Sequence, residues 1–129
     1  MGGDTQMMFG SVPTTIPHVR SGKLRALGVG GTKRNFALPD VPTIDEAGVP
    51  GYQCANWIGL VAPAGTPAPI IAKLHKELSA AQDSPALQKA FANEGAEMVR
   101  MSSTEFGGFI ASELAKWGKL VKEAGIKRQ

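Results

Sequence analysis

Apolar residues fall along this chain in two regimes. In the first half they come in short runs broken by Gly and Pro. Gln6-Met7-Met8-Phe9, Leu24-Arg25-Ala26-Leu27-Gly28-Val29 and Ile58-Gly59-Leu60-Val61-Ala62 have the length of strands. Between the first two, Thr15 as N-cap, Pro17 at the first helical position and Gly22 as stop predict a short helix. Strand, helix, strand is the outline of a βαβ crossover, which joins parallel strands. Thr43 predicts a brief helix over 44–47, stopped by Gly48.

In the second half the apolar period changes to three and four. Thr66-Pro67 is a start signal for a helix with Ile70, Ile71, Leu74 and Leu78 on one face. Ser84-Pro85 opens a second helix, with Leu87, Ala90 and Phe91 on one side and Gly95 as its stop. Met98-Val99-Arg100-Met101 is a further strand candidate. Ser102-Ser103-Thr104-Glu105 has the form of a capping box. It leads into a last helix whose apolar positions are Phe106, Phe109, Ile110, Leu114, Trp117, Val121 and Ala124, closing at Gly125. Gly107, Gly108 and Gly118 each weaken that helix by about 1 kcal/mol relative to Ala, so it must draw on packing, with Trp117 expected in the core.

A length of 129 residues with 43% hydrophobic and 19% charged side chains suits one globular α/β domain and argues against intrinsic disorder. No apolar run reaches the ~20 residues that span a bilayer. The single cysteine, Cys54, excludes an intrachain disulfide and a zinc site built from several cysteines. Net charge is +3 and evenly spread. The densest basic stretch, Lys116, Lys119, Lys122, Lys127 and Arg128, reads at helical spacing as a solvated face, so no nucleic-acid partner is expected.

Candidate chemistry is sparse. His18 and His75 belong to no metal-ligand spacing, and Cys54 carries no nucleophile signature. Gly28-Val29-Gly30-Gly31 lacks the third spaced glycine of a dinucleotide loop. The turn Phe9-Gly10-Ser11-Val12-Pro13-Thr14-Thr15 is more informative, because it follows a strand candidate and enters a helix. Ligands of open α/β sheets bind beyond the carboxyl ends of strands, and free amides at a helix start attract anions. Trp57, next to Asn56, offers an apolar wall with one N–H. Both features also have purely structural readings, as a helix cap and a core tryptophan.

Four blocks occur in order: residues 7–13 with Pro17-His18-Val19 and 22–27; residues 37–43 with Glu46-Ala47-Gly48 and Pro50-Gly51-Tyr52; residues 57–67; and Glu105-Phe106, Trp117-Gly118-Lys119 and Ala124-Gly125-Ile126. Together they resemble the C-terminal portion of the Bug family, the extracytoplasmic solute receptors of tripartite tricarboxylate transporters. The resemblance implies an α/β chain that is part of a two-lobed periplasmic-binding-protein (type 2) fold, with short, mostly parallel strands and amphipathic helices. It implies that residues 1–55 belong to the second lobe, and that residues 56–129 form a hinge strand and the C-terminal helices that return to the first.

On the same ground the expected function is to bind a small organic carboxylate in the periplasm and deliver it to membrane transporter subunits. No catalytic residue, cofactor or metal is implied. Met1-Gly2-Gly3-Asp4 has none of the regions of a secretory signal. Position after strands, together with the resemblance, nominates Phe9, Gly10, Ser11, Thr14 and Trp57 as ligand contacts. A truncated, non-binding self-association module is the alternative reading, and an enzyme using His18 or Cys54 ranks last. So few strands leave apolar surface and sheet edges uncovered, so the isolated chain is expected to form a homo-oligomer, for instance a domain-swapped dimer, or to need the segment of the family fold it lacks.

Overall fold

The computed structural model describes residues 4–126, which contain four helices: α1 (Val12–Arg20), α2 (Ala68–Gln82), α3 (Pro85–Asn93) and α4 (Ser103–Glu123). The chain divides into two units, Met1–Gly65 with Ala81–Met98, and Thr66–Ala80 with Val99–Gln129.

Local signals place most helix ends. At α4 the capping box is complete: the Glu105 amide donates to Ser102 Oγ at 3.2 Å, and Glu105 Oε2 accepts from the Ser102 amide at 2.7 Å. α3 starts at Pro85 after N-cap Ser84. α2 begins at Ala68, one residue later than Thr66-Pro67 suggests, with the Pro67 carbonyl accepting from the amides of Ile70 and Ile71. At the other ends, α1, α3 and α4 all close in Schellman turns. In α1, for example, Lys23 N–H reaches the His18 carbonyl at 2.9 Å and Gly22 N–H reaches that of Val19 at 3.0 Å.

Two helix expectations need correction. α1 begins at Val12, with Ser11 as N-cap and Pro13 in the first turn, so Pro17 lies inside the helix. Both prolines satisfy the local rule, and the earlier start prevails because it adds a turn that carries Ile16 into the core, where it is 2% exposed. Residues 44–47 form a single turn rather than a helix. That turn is held by a second reciprocal box: Glu46 N–H donates to Thr43 Oγ1 at 3.1 Å, and Thr43 N–H donates to Glu46 Oε2 at 2.9 Å. Arg34 Nε also donates to Glu46 Oε2 at 2.8 Å.

None of the strand candidates at 6–9, 24–29, 58–62 and 98–101 forms a ladder among the described residues. The pairing present is one isolated parallel bridge between Val29 and Thr43, both buried, made by Val29 N–H to the Pro42 carbonyl and Ile44 N–H to the Val29 carbonyl, each at 2.9 Å. A strand needs a neighbouring strand to pair with along its length, and among the described residues the Val29–Thr43 bridge is the one such pairing these segments make.

The first unit is held by a small joint. Gly95, at the close of α3, packs against Val12 and Ile16 of α1 and against Ala37. Asn35 locks it, donating from Nδ2 to the Gly95 carbonyl and accepting the Ala37 amide at Oδ1, each at 2.9 Å. In the second unit, His75 Nε2 of α2 lies 3.0 Å from the Met101 carbonyl. No residue of α2, α3 or α4 is buried. Trp117 is therefore not a core residue. It is 39% exposed, held against Glu113 and Lys116 of its own helix rather than buried in a core.

The accessible surface is 10329 Å² for a chain of 13.5 kDa. Area scaling gives roughly 6,500 Å² for one folded body of that mass and roughly 7,800 Å² for two bodies the size of these units. Large apolar side chains left in water include Met7, Met8, Ile58, Val61, Ile70, Leu74, Leu78 and Leu114.

The two reciprocal boxes make stability depend on pH. Hydrogen bonding at Thr43, then Arg34, holds the Glu46 carboxyl below its ordinary 4.5, and hydrogen bonding at Ser102 does the same for Glu105. Groups lowered in the folded state contribute stability that is complete above about pH 4.5 and is lost as pH falls through the lowered values. Far-UV circular dichroism should show helix loss in that acidic window. Glu105→Gln should already show part of the loss at pH 7 and respond less to further acid.

Candidate anion site at the entry to α1

Phe9, Gly10, Ser11 and Thr14 are brought together where the chain turns into α1. Gly10 is required there, since a Cβ would stand 2.5 Å from Thr15 Cγ2. The Ser11 carbonyl accepts three donors: Thr15 N–H at 3.1 Å, and the hydroxyls of Thr14 and Thr15 at 2.9 Å each. With the Thr14 proton spent on that carbonyl, Ser11 Oγ is the donor in its 2.8 Å contact with Thr14 Oγ1.

Ser11 is the N-cap, yet its side chain makes no capping bond. Pro13 has no N–H, so the first-turn donors not committed to the Ser11 carbonyl are the amides of Val12 and Thr14. The Ser11 hydroxyl can turn from Thr14 toward an incoming oxygen by giving up one hydrogen bond. No acidic residue lies in the first turn to compete, and the positive end of the helix favours an anion. Phe9, 79% exposed, flanks the turn with apolar surface.

Trp57 stands apart from this cluster in sequence, in the extended stretch before Pro63, and is 41% exposed. The sequence reading missed Ser11 as the cap, although Ser11 followed by Pro13 is itself a start signal. His18 is exposed, and Cys54, half-buried, donates its amide to the Gly30 carbonyl at 2.9 Å. Burial beside Cys54, its charge and its hydrogen bond push the Tyr52 hydroxyl above its ordinary 10.0.

The backbone is similar to solved periplasmic binding proteins. BugD matches with a TM-score of 0.79 at 35% identity, over 89% of this chain and 39% of that one. Rpa4515 of R. palustris, solved with adipate, matches at 0.77 and 36% identity, over 88% and 38%. MatC (Rpa3494) from Rhodopseudomonas palustris, solved with bound malate, matches at 0.76 and 34%, over 85% and 38%. The class is thus that of periplasmic binding proteins, represented over part of their fold.

Residues 1–126 match the tripartite tricarboxylate transporter family receptor profile, TctC, and the chain belongs to that family. It is 36% identical to BugT of Bordetella pertussis over 98% of this chain and 39% of BugT. It is 31% identical to a protein from the clcB-clcD intergenic region of Pseudomonas knackmussii, over 92% of this chain and 71% of that one. The chain therefore spans about two fifths of the length of BugT and of the solved receptors.

Proposed function

We propose that this chain is the C-terminal part of an extracytoplasmic receptor for small organic carboxylates, working in the periplasm and passing its ligand to the membrane subunits of a tripartite transporter. Residues 1–55 supply part of the second lobe, and residues 56–129 the hinge segment and the helices that return to the first. One carboxylate group sits at the entry to α1 on the amides of Val12 and Thr14 and the hydroxyl of Ser11, with Gly10 allowing the turn and Phe9 and Trp57 as apolar walls. The observation that carries this reading is a helix start whose cap side chain is turned away from its amides, in a chain whose relatives are solved with adipate and malate.

The test is a titration of the 129-residue chain with malate, adipate and the neutral diamide of malate, followed by amide NMR. Val12 and Thr14 should shift with the acids and stay still with the diamide. Ser11→Ala should weaken binding about 3- to 10-fold, the worth of one hydrogen bond. Acids that move neither amide would overturn the assignment. A second reading, a self-association module without ligand, is favoured by the exposed apolar faces of α2 and α4.

A further inference from the structure

Helix α1 cannot hold itself in place. It has nine residues, fewer than the roughly 12–15 at which an isolated helix becomes even marginally stable. Pro17, inside it, supplies no N–H, so its ladder is one bond short. The position of its first turn therefore depends on packing. Gly95 stands against it: the residue is buried, and a Cβ added there would lie 2.9 Å from Val12 Cγ1 and 3.3 Å from Ile16 Cδ1.

Asn35 in turn decides where Gly95 stands. Its side-chain amide is used from both ends, with Nδ2 donating to the Gly95 carbonyl and Oδ1 accepting from the Ala37 amide, each at 2.9 Å. Turning that amide over would set donor against donor and acceptor against acceptor, so the network admits one orientation. The Asn35 main-chain carbonyl accepts the Leu38 amide at 2.9 Å, which closes the turn. One part-buried side chain thus ties residues 35–38 to the close of α3, 60 positions away.

Val12 connects this joint to the helix entry. Its side chain meets Gly95, while its own amide is one of the two first-turn donors not committed to the Ser11 carbonyl. Val12 is β-branched and stiff at χ1, so a displacement at its methyl carries over to its backbone. We infer that Asn35 is a positioning residue for a carboxylate at the entry to α1: by holding Gly95 against Val12 and Ile16, it fixes where the Val12 and Thr14 amides stand, without touching the ligand. The inference rests on the carboxylate reading proposed above and adds to it a residue outside the site. Coupling of this kind is reciprocal, so a ligand that needs the joint must also tighten it.

The test uses the 129-residue chain with adipate, followed by amide NMR and hydrogen exchange. Asn35→Ala should weaken adipate binding about 5-fold or more, the low end of typical couplings between sites. In the unmutated chain, adipate should slow exchange of the Ala37 amide, which donates to Asn35, by more than it slows that of Tyr52, which donates to the Val49 carbonyl in the same unit. Thr43→Ala is the control for lost stability. It breaks the hydrogen bond from the Glu46 amide, in that unit, and should leave the affinity unchanged. Equal affinity in Asn35→Ala, equal losses in Asn35→Ala and Thr43→Ala, or equal slowing at Ala37 and Tyr52 would each overturn this inference alone. Val12 and Thr14 amides that adipate leaves unmoved in the unmutated chain would instead remove the carboxylate site, and this inference with it.

Discussion

Gly95→Ala should undo the joint that holds α1 and α3 together. Gly95 sits at φ +67°, in the left-handed region, where a Cβ costs about 1–2 kcal/mol by itself. The added methyl would also lie 2.9 Å from Val12 Cγ1, 3.1 Å from Ala37 Cβ and 3.3 Å from Ile16 Cδ1. Overfilling such a site typically costs a further 1–3 kcal/mol. The two nearer neighbours cannot easily withdraw: Ala37 has no rotamer, and Val12 is β-branched and stiff at χ1. The expected loss is about 3 kcal/mol, large against the few buried residues of this unit.

Hydrogen exchange is the direct measurement. The amide of Ala37, which donates to Asn35, and that of Ala96, which donates to the Phe91 carbonyl, should lose protection together while α4 is unaffected. Asn35→Ala should produce a milder version, because it removes the two side-chain hydrogen bonds without inserting a methyl. Retained protection at Ala37 and Ala96 in Gly95→Ala would show that the joint does not hold the unit.

Gly30→Ala is expected to be comparably severe, for a different reason. Its backbone is not in the left-handed region, so conformation is no obstacle. The obstacle is a Cβ placed 2.1 Å from the Cys54 carbonyl oxygen, with the Cys54 carbonyl carbon at 3.2 Å. No rotamer relieves a clash with backbone. The segment carrying Cys54 must move, and the 2.9 Å bond from its amide to the Gly30 carbonyl goes with it. The neighbouring Gly31→Ala is the control, since its Cβ would stand 3.4 Å from the Lys33 carbonyl. Denaturant unfolding should show Gly30→Ala lower by about 2–4 kcal/mol, and Gly31→Ala lower by less than about 1 kcal/mol. Equal effects would refute the close approach as the cause.

These glycines also show what a sequence reading can miss. Gly28-Val29-Gly30-Gly31 invites comparison with a nucleotide loop and fails it on spacing. What Gly30 does instead is admit a carbonyl from a residue two dozen positions away, and no local pattern announces that contact. Gly95 was legible as a helix stop. Its packing against α1 was not, because Val12, Ile16 and Ala37 lie far from it along the chain.

At the candidate site the division is similar. Phe9, Gly10, Ser11 and Thr14 could be nominated from a turn leading into a helix, and those four residues lie at the entry to α1. Which residue caps it was ambiguous, because Pro13 and Pro17 both mark legitimate starts and only the burial of Ile16 separates them. That the Ser11 hydroxyl faces Thr14 rather than the helix amides depends on side-chain geometry that spacing does not specify. The box Thr43-Ile44-Asp45-Glu46 did carry its signal in the residues, an S/T-x-x-E pattern identical in form to the one recognised at Ser102.

What the residue order determined unaided is therefore the set of events completed within four or five positions. These are the capping box of α4, the Ser84-Pro85 start of α3, the Gly22, Gly95 and Gly125 closures, and the amphipathic period of α2 and α4. Each is closed by hydrogen bonds between near neighbours and needs nothing from the rest of the chain. Tertiary structure alone decided whether apolar runs become strands and whether apolar stripes become core. Pairing and burial require a second surface, and a period of two or of 3.6 states only that such a surface is wanted. Here 24–29 found a single bridge, Trp117 stayed part-exposed, and Ile16 was covered because α3 and the turn after it arrived to meet it.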